Sequence, residues 1–158
     1  MMKSFQEPNL TMLTDFYELT MANGYFANGL GDTTCYFDMF FRKVPDKGGF
    51  AIMAGVEQLV EYLKNLRFCD EDIEFLHQKH IFSREFLDYL RNFKFSCDVW
   101  AVPEGTPIFP GEPIVTVRGP AIQAQFIETL SLIHISPTGR CRFSFPCLAG
   151  PRFAPPQA

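Results

Sequence analysis

Cysteine, histidine and clustered basic charge are scarce in this sequence, and each scarcity removes a class of protein. The five cysteines, at positions 35, 69, 97, 141 and 147, are odd in number and widely spaced, which excludes a disulfide framework or a zinc ribbon as the basis of the fold. Buried free thiols are expected instead. Of the three histidines, His77 and His80 stand three apart on a polar segment and His134 is remote, so the further ligands that a metal site needs are missing. No metal site is predicted. Lysine and arginine number 14 against 18 acidic residues, for a net charge of -4, and they form no footprint for a phosphate backbone, so nucleic acid is not an expected partner. A membrane is not expected either. No stretch approaches the roughly 18 apolar residues of a span, and the opening MMKSFQEPNL lacks the apolar core of a leader. These features predict a cytoplasmic protein.

What is present is apolar mass, patterned. With 158 residues, 47% of them hydrophobic and 18 of them Phe, the chain has enough to bury one sizeable core. Asp15 followed three residues later by Glu18 reads as a capping box that opens a helix at Asp15. In that helix Phe16, Leu19, Ala22 and Phe26 make one apolar face, with Tyr17, Met21 and Tyr25 as a second stripe. Glycines after Asn23 and Asn28 end it. Thr34 to Arg42 then alternates as a strand, with Cys35, Phe37, Met39 and Phe41 on one side and Tyr36, Asp38, Phe40 and Arg42 on the other. Phe50 to Gly55 reads as a short buried strand, and Val56, Leu59, Val60, Leu63 and Leu66 as an amphipathic helix behind it. Asp70, Glu71 and Asp72 head the next helix, and Ser83 caps another. From Phe95 onward the pattern is strands and tight turns, over 98–102, 106–109 and 113–117. A helix then begins over 121–130.

Two places on this scaffold carry chemistry. Asp15 and Tyr17 flank a first helical turn, where free N–H groups and the positive dipole end favour an anionic ligand. A phenol there suits stacking on a flat ring, and a carboxylate suits orienting a hydroxyl or an amine. The competing reading is that the aromatics of this helix are core. Arg42 closes its strand with a planar fork that suits phosphate or pyrophosphate. Its competing reading is a surface ion pair with Asp38, worth under about 1 kcal/mol.

TDFYELTMANGYF, FDMFFRKVPDKGGFAIMAGVEQLVEYL and FSREFLDYLRNFKFSCDVWAVPEGTPIFPGEPIVTVRGP resemble, in order from about Asn9 to about Leu130, the N-terminal region of nicotinate phosphoribosyltransferases. The relative that acts on nicotinamide is similar in its Asp-x-Tyr opening, whereas FFRKVP and GTPIFPGEP are closer to the nicotinate branch. The resemblance implies an α+β fold, the N-terminal domain of a type II phosphoribosyltransferase. Its helices would pack on a mixed sheet with a small barrel-sandwich-like β region, and the catalytic barrel domain would be absent. The implied reaction joins nicotinate to phosphoribosyl pyrophosphate, with ATP and Mg2+ as cofactors and a homodimer as the working form. The sequence shows no identifiable site for ATP or Mg2+. By the same resemblance Tyr17 stacks on the nicotinate ring, Asp15 orients Tyr17 or the substrate, and Arg42 contacts phosphate or pyrophosphate. The remaining catalytic groups belong to later sequence in that family, so this chain is expected to be inactive alone. It would be either inert or a partner that lends Tyr17 and Arg42 to a full-length subunit.

A different class is also on the page. VPEGTPIFPGEPIVTV is similar to the barrel-sandwich pattern of biotinyl and lipoyl carriers, which would make the chain a non-catalytic binding or structural module. A carrier needs a lysine at the hairpin tip, and here the tip is Pro110-Gly111-Glu112-Pro113. The organisation predicted is an arm over 1–8, a domain over 9–130 and a tail over 131–158. The tail has little periodicity and many prolines, so poor order is expected, and it reads as sequence foreign to the domain. An anion-binding tail through Arg140, Arg142 and Arg152 is the other reading.

Overall fold

The computed structural model describes residues 9–44, 48–129 and 141–144. The alternation of Thr34 to Phe41 becomes the strand at its centre. In β1 (Thr34–Phe41), Cys35, Phe37, Met39 and Phe41 are buried and the residues between them face outward. Its neighbours are β5 (Val115–Pro120) on one edge and β6 (Cys141–Ser144) on the other, and β3 (Asp98–Ala101) lies outside β5. Thr34 pairs with Pro120 and Met39 with Val115, while Asp98 pairs with Arg118. A separate two-stranded pair joins β2 (Ala51–Ile52) to β4 (Pro107–Ile108).

Every pairing among the described residues is antiparallel, which corrects the mixed sheet expected from the resemblance. A parallel pair needs a crossover lying across its own sheet. Here α2 (Val56–Asn65), α3 (Asp70–His77) and α4 (Arg84–Arg91) come between the strands, and α3 and α4 pack instead into a second core shared with the other helices. The strand expected over Phe50 to Gly55 is reduced to two residues. Phe50 and Ile52 stay exposed, and only Met53 enters the core. The backbone of Met53 is nevertheless paired, with Thr106 and Gly105. Of the stretch read as a poorly ordered tail, Cys141–Ser144 extends the sheet beside β1, and the rest lies outside the described residues, as does the arm over 1–8.

Two apolar cores result. One fills the inner face of the sheet, and the other packs Leu19, Leu76, Phe86, Leu90 and Phe126 between the helices. The short helix α5 (Ala121–Gln125) and the turn after it face both, with Ala121, Ala124 and Ile127 on the sheet and Ile122 and Phe126 on the helices. The first helix, α1 (Phe16–Ala27), runs antiparallel to α5. Its end meets the start of α5 where the Ile122 N–H donates to the Gly31 carbonyl (3.5 Å), and its start meets the end of the α5 segment at Thr129.

Helix starts are closed locally. Ser83 Oγ accepts the Phe86 N–H at 3.1 Å, as its position predicts. At α2, Gly55 adopts φ 99°, and Glu104 Oε1 accepts the N–H groups of Gly55 (2.8 Å) and Val56 (2.7 Å). A carboxylate from the protein itself therefore occupies that helix terminus.

Gly119 is fixed by contact rather than by conformation, because a Cβ there would lie 2.4 Å from Cys97 Sγ and 3.1 Å from Cys97 Cα. Gly119→Ala should cost roughly 1–3 kcal/mol of stability through overpacking. Gly24→Ala, in α1 with nothing within 4 Å, should be neutral or stabilising by up to about 1 kcal/mol. Urea unfolding of both variants measures the difference, and equal effects would contradict this account of Gly119.

Candidate functional site

The start of α1 is held from below. Asp15 sits at the cap position in an extended conformation, but its side chain makes no capping bond. Its backbone N–H donates to Thr129 Oγ1 (3.2 Å) in the turn that follows α5. Glu18, expected to return to that N–H as the second half of a capping box, points inward and is fully buried. It accepts hydrogen bonds from the hydroxyls of Thr14 and Thr129. The box is replaced because the α5 segment supplies a hydroxyl on the side of α1 that also buries Leu19 and Ala22.

Burial lifts the Glu18 carboxyl from its ordinary 4.5 to about 7, the two hydroxyl donors pull it back, and the nearby carboxylates of Glu128 and Asp15 add to the rise. Loss of solvent penalises the charged form, and like charges do the same. Tyr62 is buried, and its phenol is pushed up by that burial and by Glu18. Its hydroxyl has no hydrogen-bond partner among the described residues.

Tyr17 stands on the outer side of this junction with 41% of its surface exposed. Burial raises its phenol well above the ordinary value, and the nearby carboxyl of Glu128 adds to the rise. It therefore stays protonated. Burial raises the Glu128 carboxyl too, against the pull of the Tyr17 phenol. Leu13, Phe16 and Met21 are exposed beside Tyr17, with Phe16 resting edge-on against Phe82 (ring centroids 5.9 Å apart). The aromatics of α1 thus divide. Phe26 packs against Phe86 and Tyr89, while Phe16 and Tyr17 form an apolar stripe on the surface.

Arg42 is exposed just past the end of β1 and makes no ion pair among the described residues. Asp38, its candidate partner, instead accepts a hydrogen bond from Thr116 Oγ1 (2.6 Å) on the neighbouring strand. The Phe41 carbonyl accepts the Gly111 N–H (2.9 Å), which pins the strand end against the Pro110-Gly111 turn. Asp15 and Tyr17 are thus brought together at one helix start. Arg42 comes from a different element and shares no described bond with them. Depressions between α2 and β3, around Val60, Leu63 and Val99, and beside Tyr89 and Asn92 of the α4 region, are lined by none of the three.

Glu128 and Thr129 escape the sequence reading because they sit in an apolar segment. The signal is faint but present, since Gln125, Glu128 and Thr129 recur at helical spacing as a polar row on AIQAQFIETL. Among the described residues no group of three or more His, Cys, Asp or Glu is arranged to hold a metal ion, and the α2 terminus is filled by Glu104. No helix among the described residues is long and apolar enough to cross a membrane.

The same fold occurs in solved phosphoribosyltransferases. Human nicotinic acid phosphoribosyltransferase superposes with a TM-score of 0.72 at 37% identity, covering 77% of this chain and 25% of that one. An antiparallel α+β domain with an aromatic and acidic helix start is, in this setting, the N-terminal domain of a phosphoribosyltransferase. Residues 12–136 match the description of the nicotinate phosphoribosyltransferase (NAPRTase) N-terminal domain, and the chain belongs to that family. Nicotinate phosphoribosyltransferase pncB2 of Mycobacterium tuberculosis is 44% identical over 126 residues, covering 78% of this chain and 27% of the relative. The Bacillus subtilis nicotinate phosphoribosyltransferase is 36% identical over 128 residues, 81% of this chain and 26% of the relative. The chain therefore spans about a quarter of the length of the relatives it matches.

The Glu18 carboxyl gives a pH test. With a folded value near 7 against an ordinary 4.5, the folded state keeps a proton that the unfolded chain loses between these values. Its contribution is full below about pH 4.5 and is lost as pH rises through 7. The stability of Glu18→Gln relative to the unaltered chain should therefore improve by about 1–3 kcal/mol between pH 4.5 and 8. Urea unfolding at both pH values checks this, and a constant difference would contradict it.

Proposed function

We propose that this chain supplies the pyridine-ring and phosphate contacts of a nicotinate phosphoribosyltransferase acting in NAD salvage in the cytoplasm. In that reaction the ring nitrogen of nicotinate forms a bond to C1 of the ribosyl 5-phosphate as the bond from C1 to pyrophosphate breaks. The products are nicotinate mononucleotide and pyrophosphate. The observation that carries the reading is the position of Tyr17, on the first turn of α1 with its ring at the surface beside the exposed Leu13, Phe16 and Met21. A ring so placed offers a flat face to a planar substrate.

Each residue then has a separate task. Tyr17 stacks on the pyridine ring and holds the nitrogen in line with C1. Asp15, at the same helix start, orients Tyr17 or the substrate. Arg42, whose charge Asp38 does not engage, places its fork on the phosphate or pyrophosphate oxygens, where negative charge accumulates as the leaving group departs. ATP hydrolysis with Mg2+ and a homodimeric assembly belong to this proposal and enter through the part of the relatives' length that this chain does not span. We assign no catalytic residue to the chain. The carrier-like β region and a preference for nicotinamide remain alternatives that no described contact favours.

Two outcomes follow. The purified 158-residue chain, given nicotinate, phosphoribosyl pyrophosphate, ATP and Mg2+, should form no nicotinate mononucleotide, and detectable product would refute its dependence on further sequence. In a chimera in which residues 9–129 replace the matching region of the Bacillus subtilis relative, Tyr17→Ala should raise the KM for nicotinate about tenfold, the scale of a lost stacking contact. Arg42→Ala should raise the KM for phosphoribosyl pyrophosphate instead. Unchanged kinetics in both variants would remove the transferase reading.

A further inference from the structure

We propose that Glu18 is a positioning residue of this site, fixing the backbone at Asp15 through the hydroxyl of Thr129. The inference rests on the reading of Tyr17 and Asp15 given under Proposed function.

The geometry is a relay across the antiparallel junction of α1 and the α5 segment. Glu18 receives the hydroxyl protons of Thr14 and Thr129. Because Thr129 Oγ1 donates to Glu18, its lone pairs are turned toward the Asp15 N–H, which it accepts at 3.2 Å. One buried carboxylate thus sets the rotamer of a hydroxyl, and that hydroxyl sets the position of the cap residue. The start of α1 is thus tied to the turn after α5, although α1 has no side-chain cap of its own.

Stability alone does not call for this arrangement. A fully buried carboxylate without a cation is expensive, and an apolar side chain of similar size would fill the same space at lower cost. What the Glu18 carboxylate provides is direction, since hydrogen bonds fix angles that apolar contacts leave free. A side chain at Asp15 that must reach a set atom needs that restriction.

Amide hydrogen exchange by NMR on the 158-residue chain tests this role. Thr129→Val, close in shape but without the hydroxyl, should speed exchange at the Asp15 amide at least tenfold while leaving the Phe37 and Val117 amides of the sheet unchanged. Glu18→Ala should do the same, and Glu18→Gln, which still accepts a hydroxyl proton, should bring the rate to within about threefold of the original. Should Glu18→Ala fail to fold, Thr129→Val decides. An unchanged Asp15 rate, or equal acceleration in the sheet, would overturn the positioning role. In the chimera, Thr129→Val should raise the nicotinate KM several-fold with that for phosphoribosyl pyrophosphate unmoved. If Tyr17→Ala raises the nicotinate KM and Thr129→Val does not, the positioning role alone is lost. If Tyr17→Ala has no effect, the transferase reading is lost with it.

Discussion

The α5 segment packs against two apolar cores at once, and the placement of every other element near the site follows from that constraint. Ala121, Ala124 and Ile127 cover the sheet while Ile122 and Phe126 enter the helical core, so this stretch can neither rotate nor slide without opening one core or the other. Interiors packed to crystal-like density resist such shifts strongly. Its start is tied to the Thr33 and Gly31 carbonyls, and the tip of the Ile122 side chain lies close against Gly31, 2.7 Å from where a Cβ would stand. The turn after it is therefore a fixed platform, and the beginning of α1 is built on it.

A fixed platform explains how a surface-exposed aromatic can serve recognition. Tyr17 lies outside the core, in a stripe with Leu13, Phe16 and Met21, and an exposed side chain ordinarily samples several rotamers. The buried Glu18 with its two hydroxyl donors keeps the helix start beneath it from fraying. The positive end of the helix dipole points at this surface, and the carboxylates of Asp15 and Glu128 stand beside it.

Much of the scaffold is legible one residue at a time. The alternation in β1 is a local pattern in which every second side chain must leave water, and it maps directly onto burial. The Ser83 cap and the acidic head of α3 are likewise local, since the groups that meet lie within one helical turn. The Asp15–Glu18 pattern is equally local and marks the helix start correctly, yet the capping contact itself does not form, because a distant hydroxyl competes for Glu18 and burial on the α5 side wins. Asp38 misleads in the same way. Arg42 lies four residues from it, but Thr116, 78 residues distant, takes its carboxylate. The sheet was expected to be mixed and is antiparallel, because strand direction depends on where three intervening helices find their core.

Sequence by itself determined the kinds of element, the apolar faces and the family to which the chain belongs, all of which follow from short-range spacing or from ordered motifs, and it singled out Tyr17, Asp15 and Arg42 as candidates. Tertiary structure alone decided that Glu18 turns inward onto Thr14 and Thr129 and that Arg42 is left without Asp38. The physical reason is separation along the chain. Asp15 and Thr129 stand 114 residues apart, so the bond between them exists only once two cores have closed around the helix that joins them.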